Sequence, residues 1–73
     1  MRLSECRPGQ IGTVTAVHGN GRLIQRLMEM GVVAGTKIRV IRLAPFGDPM
    51  EVELHHYLLS LRKSEAGSVE VEV

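Results

Sequence analysis

Residues 50–55 read Met50-Glu51-Val52-Glu53-Leu54-His55, a stretch in which apolar and polar side chains alternate without a break. Successive side chains of a strand point to opposite faces, so this period of two predicts a β-strand with one buried face. The same alternation returns near the end of the chain, in Val69-Glu70-Val71-Glu72-Val73. These two segments predict a sheet that covers a core on one side and meets solvent on the other.

Three more segments have strand character with local irregularities. In the segment after the His55-His56 pair, Tyr57, Leu59 and Leu61 share a face, and Leu58 interrupts the pattern. The pattern of residues 38–43 shifts its phase at Ile41, and residues 10–18 show a similar shift. Both shifts predict a β-bulge or a strong local twist.

One segment has the period of a helix. In residues 22–30 the apolar side chains fall on one arc and the polar side chains fall on the opposite arc. The apolar arc contains Leu23, Ile24, Leu27, Met28 and Met30. Asn20 suits the N-cap, Gly31 suits the left-handed position that ends a helix, and Val32 suits the contact beyond it.

Turn residues separate these segments. Arg7-Pro8-Gly9-Gln10 and Val33-Ala34-Gly35-Thr36 predict tight turns, residues 44–49 predict a loop with two prolines, and residues 64–67 predict a short turn. The prediction is an all-β domain over residues 1–73: a small five-stranded, closed or partly open antiparallel barrel with one short α-helix inserted after the first strand. The predicted core consists of Val14, Leu27, Ile38, Val40, Val52, Leu54, Leu61 and Val71.

Composition excludes several classes of function. The chain has 73 residues, with 9 Lys and Arg against 8 Asp and Glu, so a strongly basic nucleic-acid-binding face is not expected. A core this small leaves little room for a catalytic pocket, and no nucleophile-and-base motif is present, so we expect no enzyme. No apolar run is long enough to cross a membrane, and the single Cys6 forms no internal disulfide. A cytoplasmic location is the expectation.

Two motifs contain residue types that occur in ligand-binding sites. Gly19-Asn20-Gly21 precedes the helix, but Ile24 stands where a dinucleotide fingerprint needs its third glycine, so a tight turn explains the motif better. Glu51, Glu53 and His55 share one face of the predicted strand and suit a divalent transition metal such as iron. The alternative is that these three residues form the solvated outer face of the strand. We expect no metal to be required for folding.

The order and spacing of several short motifs resemble the FeoA family over nearly the whole chain. They are Arg26-Leu27-Met28-Glu29-Met30-Gly31, Gly35, Ala44-Pro45, Asp48-Pro49, Leu59-Ser60-Leu61-Arg62 and Glu65-Ala66. The resemblance implies an SH3-like barrel and a small cytoplasmic accessory protein of bacterial ferrous-iron uptake. It also implies a partner, a membrane iron permease that carries a cytoplasmic GTP-binding domain.

Two functions remain open on this resemblance. One is an interaction module that acts on the permease, and the other is a metal-binding sensor or carrier similar to the C-terminal domain of iron-dependent repressors. For the interaction module, we predict a docking surface made of the polar arc of the helix and an exposed loop aromatic: Arg22, Gln25, Arg26, Glu29 and Phe46. The alternatives are that these charges only solubilise the helix while Phe46 folds back over the barrel mouth, and that Arg26 pairs with Glu29 or a strand carboxylate.

Overall fold

Five antiparallel strands in a single sheet form the framework of the computed structural model, which describes all residues from Met1 to Val73. The strands are β1 (Ile11–Val17), β2 (Lys37–Leu43), β3 (Met50–Leu54), β4 (Tyr57–Leu61) and β5 (Val69–Glu72). Helix α1 (Gly21–Glu29) follows β1, and the one-turn helix α2 (Lys63–Ala66) joins β4 to β5. The sheet order is β4-β3-β2-β1-β5. The predicted all-β class and the predicted place of the helix are confirmed.

The two predicted irregularities are register shifts in the sheet. One lies between Val14 and Ala16 where β1 pairs with β5, and the other lies between Val40 and Arg42 where β2 pairs with β3. An extra residue at such a point bends its strand and increases the local twist. The sheet therefore curves around one core, to which every strand contributes buried side chains. All eight predicted core residues are buried, together with Leu3, Cys6, Val32, Met50, Ala66 and Val69.

The N-terminal segment lies along the free side of β5. The N-terminal ammonium of Met1 donates to the Val71 carbonyl at 3.0 Å, and the Val71 N–H donates to the Met1 carbonyl at 2.7 Å. Leu3 is buried just beyond this pairing. The segment therefore covers one sheet edge and adds a side chain to the core.

The signals at the two ends of α1 act as predicted. The Asn20 side chain accepts a hydrogen bond from the Leu23 N–H at 2.9 Å. At the other end Gly31 has φ +90°, and the Val32 N–H donates to the Leu27 carbonyl at 2.9 Å, which is the pattern of a Schellman stop. Within α1 only Leu27 is fully buried. Met28 is 55% exposed, so the buried stripe is narrower than the predicted apolar arc.

Two predicted boundaries are corrected. The expected short turn at residues 64–67 falls largely within α2, where the Glu65 side chain accepts from the Arg62 N–H at 2.9 Å and caps the helix. The strand expected over residues 50–55 ends at Leu54, because His55 and His56 both have positive φ, +48° and +67°. They form the two-residue turn of the β3–β4 hairpin. No helix in this structure has the length and apolar character that a membrane span requires.

Candidate functional site

The polar arc of α1 faces solvent. Its four members, Arg22, Gln25, Arg26 and Glu29, are all exposed, whereas Leu27 on the opposite side enters the core. Capping at both ends and burial of Leu27 fix the helix against the sheet. The arc is therefore a charged surface on a fixed scaffold, as the helical period predicted.

Arg26 forms an ion pair with Glu65, which lies on α2. The Glu65 side chain is only 9% exposed, and the same carboxylate also accepts from the Arg62 N–H. The partner of Arg26 is thus neither Glu29 nor a strand carboxylate, the two alternatives considered from the sequence. The Arg26 side chain remains 60% exposed, so part of its guanidinium still faces solvent.

Phe46 is fully exposed at the tip of the loop between β2 and β3. Its φ is +67°, in the left-handed region that a bulky residue rarely adopts. The loop is closed at its base, where the Ala44 N–H donates to the Pro49 carbonyl at 3.0 Å, and within the tip by Gly47 N–H to Ala44 carbonyl at 2.8 Å. The aromatic ring is therefore presented on a short, hydrogen-bonded loop and does not fold back over the core.

Two hollows flank the Arg26–Glu65 pair and share Arg26, Arg62 and Glu65 as lining residues. One also contacts Asp48, Pro49 and Ser60, and the other also contacts Asn20, Arg22, Leu23 and Ser64. We call the two together the arginine groove. It is lined by Arg22 and Arg26 of the polar arc and reaches Asp48 and Pro49 in the loop that carries Phe46.

The three predicted metal candidates do not form one group, although Glu53 and His55 line one hollow together with His56. Glu51 pairs with Arg42 at 3.0 Å, and Glu53 lies opposite Arg39 on β2. His55 lies in the hairpin turn instead of on the strand face, and its ring is packed against Gly31, where an added Cβ would come within 2.9 Å of the ring Cδ2. In the whole chain no three His, Cys, Asp or Glu side chains are grouped as metal ligands.

Cys6 is buried beside the N-terminal segment. Burial raises the pKa of its thiol above the ordinary value, and the positive N-terminus opposes that shift. A thiol held protonated in this way is a poor nucleophile and a poor metal ligand. Cys6 is therefore a core residue, in keeping with its place in the hydrophobic cluster.

Sequence reasoning missed the contribution of Arg62 and Glu65 to this surface. The signal was present, because a glutamate at the third position of a helix commonly bonds back to the N-cap N–H. Arg62 and Glu65 have that spacing. What the sequence did not contain was the tertiary contact that brings Arg26 of α1 to the same carboxylate.

The curved five-stranded antiparallel sheet and the helix inserted after its first strand define a small SH3-like β-barrel with a polar helix face. The FeoA domain model matches residues 1–73, and the chain belongs to the FeoA family. The predicted resemblance and fold are thereby confirmed.

Three proteins of known name or structure are similar to this chain over at least 99% of its length. It is 40% identical over its full length to a Porphyromonas gingivalis protein, the Fe(2+) transport protein A/Fe(2+) transporter FeoB fusion protein, and it spans 9% of that protein. The solution structure of FeoA from Chlorobium tepidum is 41% identical with TM-score 0.92, over 100% of this chain and 70% of that one. The zinc complex of Stenotrophomonas maltophilia FeoA is 34% identical with TM-score 0.85, over 99% of this chain and 89% of that one.

The same fold occurs in a second class of protein. A manganese-dependent transcriptional repressor in complex with manganese matches 99% of this chain and 35% of its own, with TM-score 0.91 and 20% identity. At that identity the match shows a shared fold alone.

Proposed function

We propose that this chain is a non-enzymatic accessory module of ferrous-iron uptake, which acts in the cytoplasm by binding the cytoplasmic portion of a GTP-binding iron permease. The observation that carries the proposal is the Porphyromonas gingivalis protein, in which a region 40% identical to the entire chain is covalently joined to an Fe(2+) transporter. Fusion of two domains in one relative favours physical association of their separate counterparts in another.

The surface chemistry supports a binding role. The polar arc of α1 and the Phe46 loop present four charged or polar side chains and one exposed aromatic ring on elements whose backbone is hydrogen-bonded in place. Aromatic and arginine side chains are the residue types that most often dominate protein interfaces. A site held on fixed elements also loses less conformational entropy on binding than one on a flexible segment.

A second function, direct binding of a transition metal as a sensor or carrier, has one observation in its favour. The Stenotrophomonas maltophilia FeoA structure is a zinc complex. In this chain Glu51 is paired with Arg42, so of the three candidates only Glu53 and His55 share a hollow. Any such site here would have to form without a group of three candidate ligands, so the interaction module is the better supported function.

The test is calorimetric titration of the chain with the purified cytoplasmic portion of a ferrous-iron permease, with and without chelator. Wild type, Arg22→Glu and Phe46→Ala are compared with Arg39→Glu as the matched control, because Arg39 carries the same charge on the outer face of the sheet. Glutamate is favoured in the first turn of a helix, so Arg22→Glu leaves α1 folded.

We expect saturable, chelator-independent binding that both docking-surface variants weaken by about tenfold, while the control stays within about twofold of wild type. Equal affinities for all four proteins would overturn the proposed surface. Binding that appears only with Fe²⁺ would favour the metal-dependent function instead.

A further inference from the structure

We propose that the arginine groove binds an acidic segment of the partner protein, through the guanidinium groups of Arg22 and Arg62. The inference rests on the proposed function, because it names the chemistry that the docking surface recognises. It follows from how charge is distributed among the residues that line the groove.

The two carboxylates of the groove are already satisfied within the fold. Glu65 pairs with Arg26 and accepts the Arg62 N–H, and Asp48 accepts the Lys63 N–H at 3.0 Å. A bond from a backbone N–H occupies a lone pair of a carboxylate without cancelling its charge, whereas an ion pair such as Arg26–Glu65 does offset the charge. Glu65 is therefore neutralised within the fold, whereas Asp48 is exposed and keeps its negative charge.

Two of the three arginines that line the groove have no acidic partner within the fold. Arg26 is the only one with an acidic partner, and Arg22 and Arg62 take part in no ion pair. Both are exposed. The three arginines that line the groove exceed its two carboxylates by one positive charge, and the two unpaired guanidinium groups suit carboxylates, which arginine binds through paired parallel hydrogen bonds.

The shape of the groove favours a peptide over a single small anion. The two hollows extend from Asn20 at the start of α1 to Pro49 beside the Phe46 loop, and their other lining residues include the hydroxyl groups of Ser60 and Ser64. A chain of several residues can place one carboxylate near each arginine and offer backbone groups to the hydroxyls. A segment laid in this groove would also pass close to the loop that presents Phe46.

The test uses the full ¹⁵N-labelled chain and two synthetic probes, an eight-residue peptide of alternating Glu and Ser and the same peptide with Gln in place of Glu. Amide and arginine Nε–H resonances are followed at low salt. We expect the Glu peptide to shift the resonances of Arg22, Arg62 and their neighbours, and we expect the Gln peptide to leave them in place. Added salt is expected to weaken the binding.

Two variants with the same charge change make the test specific. Arg62→Gln is expected to weaken peptide binding by about fivefold or more, because the side chain is lost while the backbone N–H to Glu65 is kept. Arg39→Gln, on the outer sheet face, is expected to change it less than about twofold. Thermal melts show that both variants remain folded.

The inference is overturned if both variants weaken binding equally, or if the shifted resonances lie on the outer face of the sheet. It is also overturned if inorganic phosphate produces the same shifts as the Glu peptide, because the groove would then be a site for small anions. Permease binding that persists without peptide binding removes this inference and leaves the proposed function standing. Peptide binding without permease binding would overturn the proposed function and, with it, the assignment of the acidic segment to that partner.

Discussion

Leu27→Ala is the sharpest test of how α1 is held to the sheet. Leu27 is the only side chain of the helix that is completely buried, so its removal takes away the one fully buried contact between α1 and the core. The substitution deletes three buried carbon atoms, which at about 0.8 kcal/mol each gives a transfer loss of about 2.4 kcal/mol. The cavity left behind adds to this, so we expect a total cost of about 3–5 kcal/mol.

That cost is large for this chain. At about 0.05–0.15 kcal/mol per residue, a domain of 73 residues is stable by about 4–11 kcal/mol. Urea unfolding followed by far-UV circular dichroism suits a chain without tryptophan, and with a slope of about 1 kcal/mol per molar the midpoint falls by about 3 M or more. The matched control is Met28→Ala, one position along and 55% exposed, which is expected to cost less than about 1 kcal/mol. Equal midpoints for the two variants would refute the assignment of the buried face.

Three further predictions follow from the ion pair, the buried thiol and the metal candidates. Arg26→Met leaves the nearly buried Glu65 carboxylate without its guanidinium, so we expect a loss of about 1–2 kcal/mol in urea unfolding, part of which the added change Glu65→Gln recovers. Burial raises the pKa of the Cys6 thiol in the folded state, so the contribution of this thiol to stability is complete at pH values well below its ordinary pKa of 9.0. The contribution is lost as pH rises through the raised pKa of the folded state. Melting curves of Cys6→Ala are expected to lack this loss at high pH. Chelator is expected to leave the melting temperature unchanged, because the core consists of apolar side chains, and chelator-induced unfolding would contradict this.

Much of the fold could be predicted because its signals are local. The alternation around Val52 and Val71 gave the buried faces, and Asn20 and Gly31 gave both ends of α1. Side-chain direction in strands and cap chemistry in helices depend on near neighbours alone. The phase shift at Ile41 was also readable, since a bulge changes the alternation itself.

The errors arose where distant parts of the chain or unusual backbone angles decide the outcome. The strand ended at Leu54 because His55 and His56 both adopt left-handed conformations, and the sequence offered no glycine or asparagine to indicate that turn. Exposure of Met28 depends on how far the sheet reaches beneath the helix. Arg26 and Glu65 are 39 residues apart in the sequence. The period of apolar and polar residues indicates local structure and does not predict a contact between residues so far apart.

The central claim, that this FeoA-family chain acts by docking to a permease, is tested most directly by mapping the contact residue by residue. The ¹⁵N-labelled chain is titrated with the cytoplasmic portion of a ferrous-iron permease in the presence of chelator. We predict chemical-shift changes confined to the polar arc of α1, the arginine groove and the loop at Phe46. Changes confined to the outer face that carries Glu51 and Glu53, or no change until Fe²⁺ is added, would contradict the account.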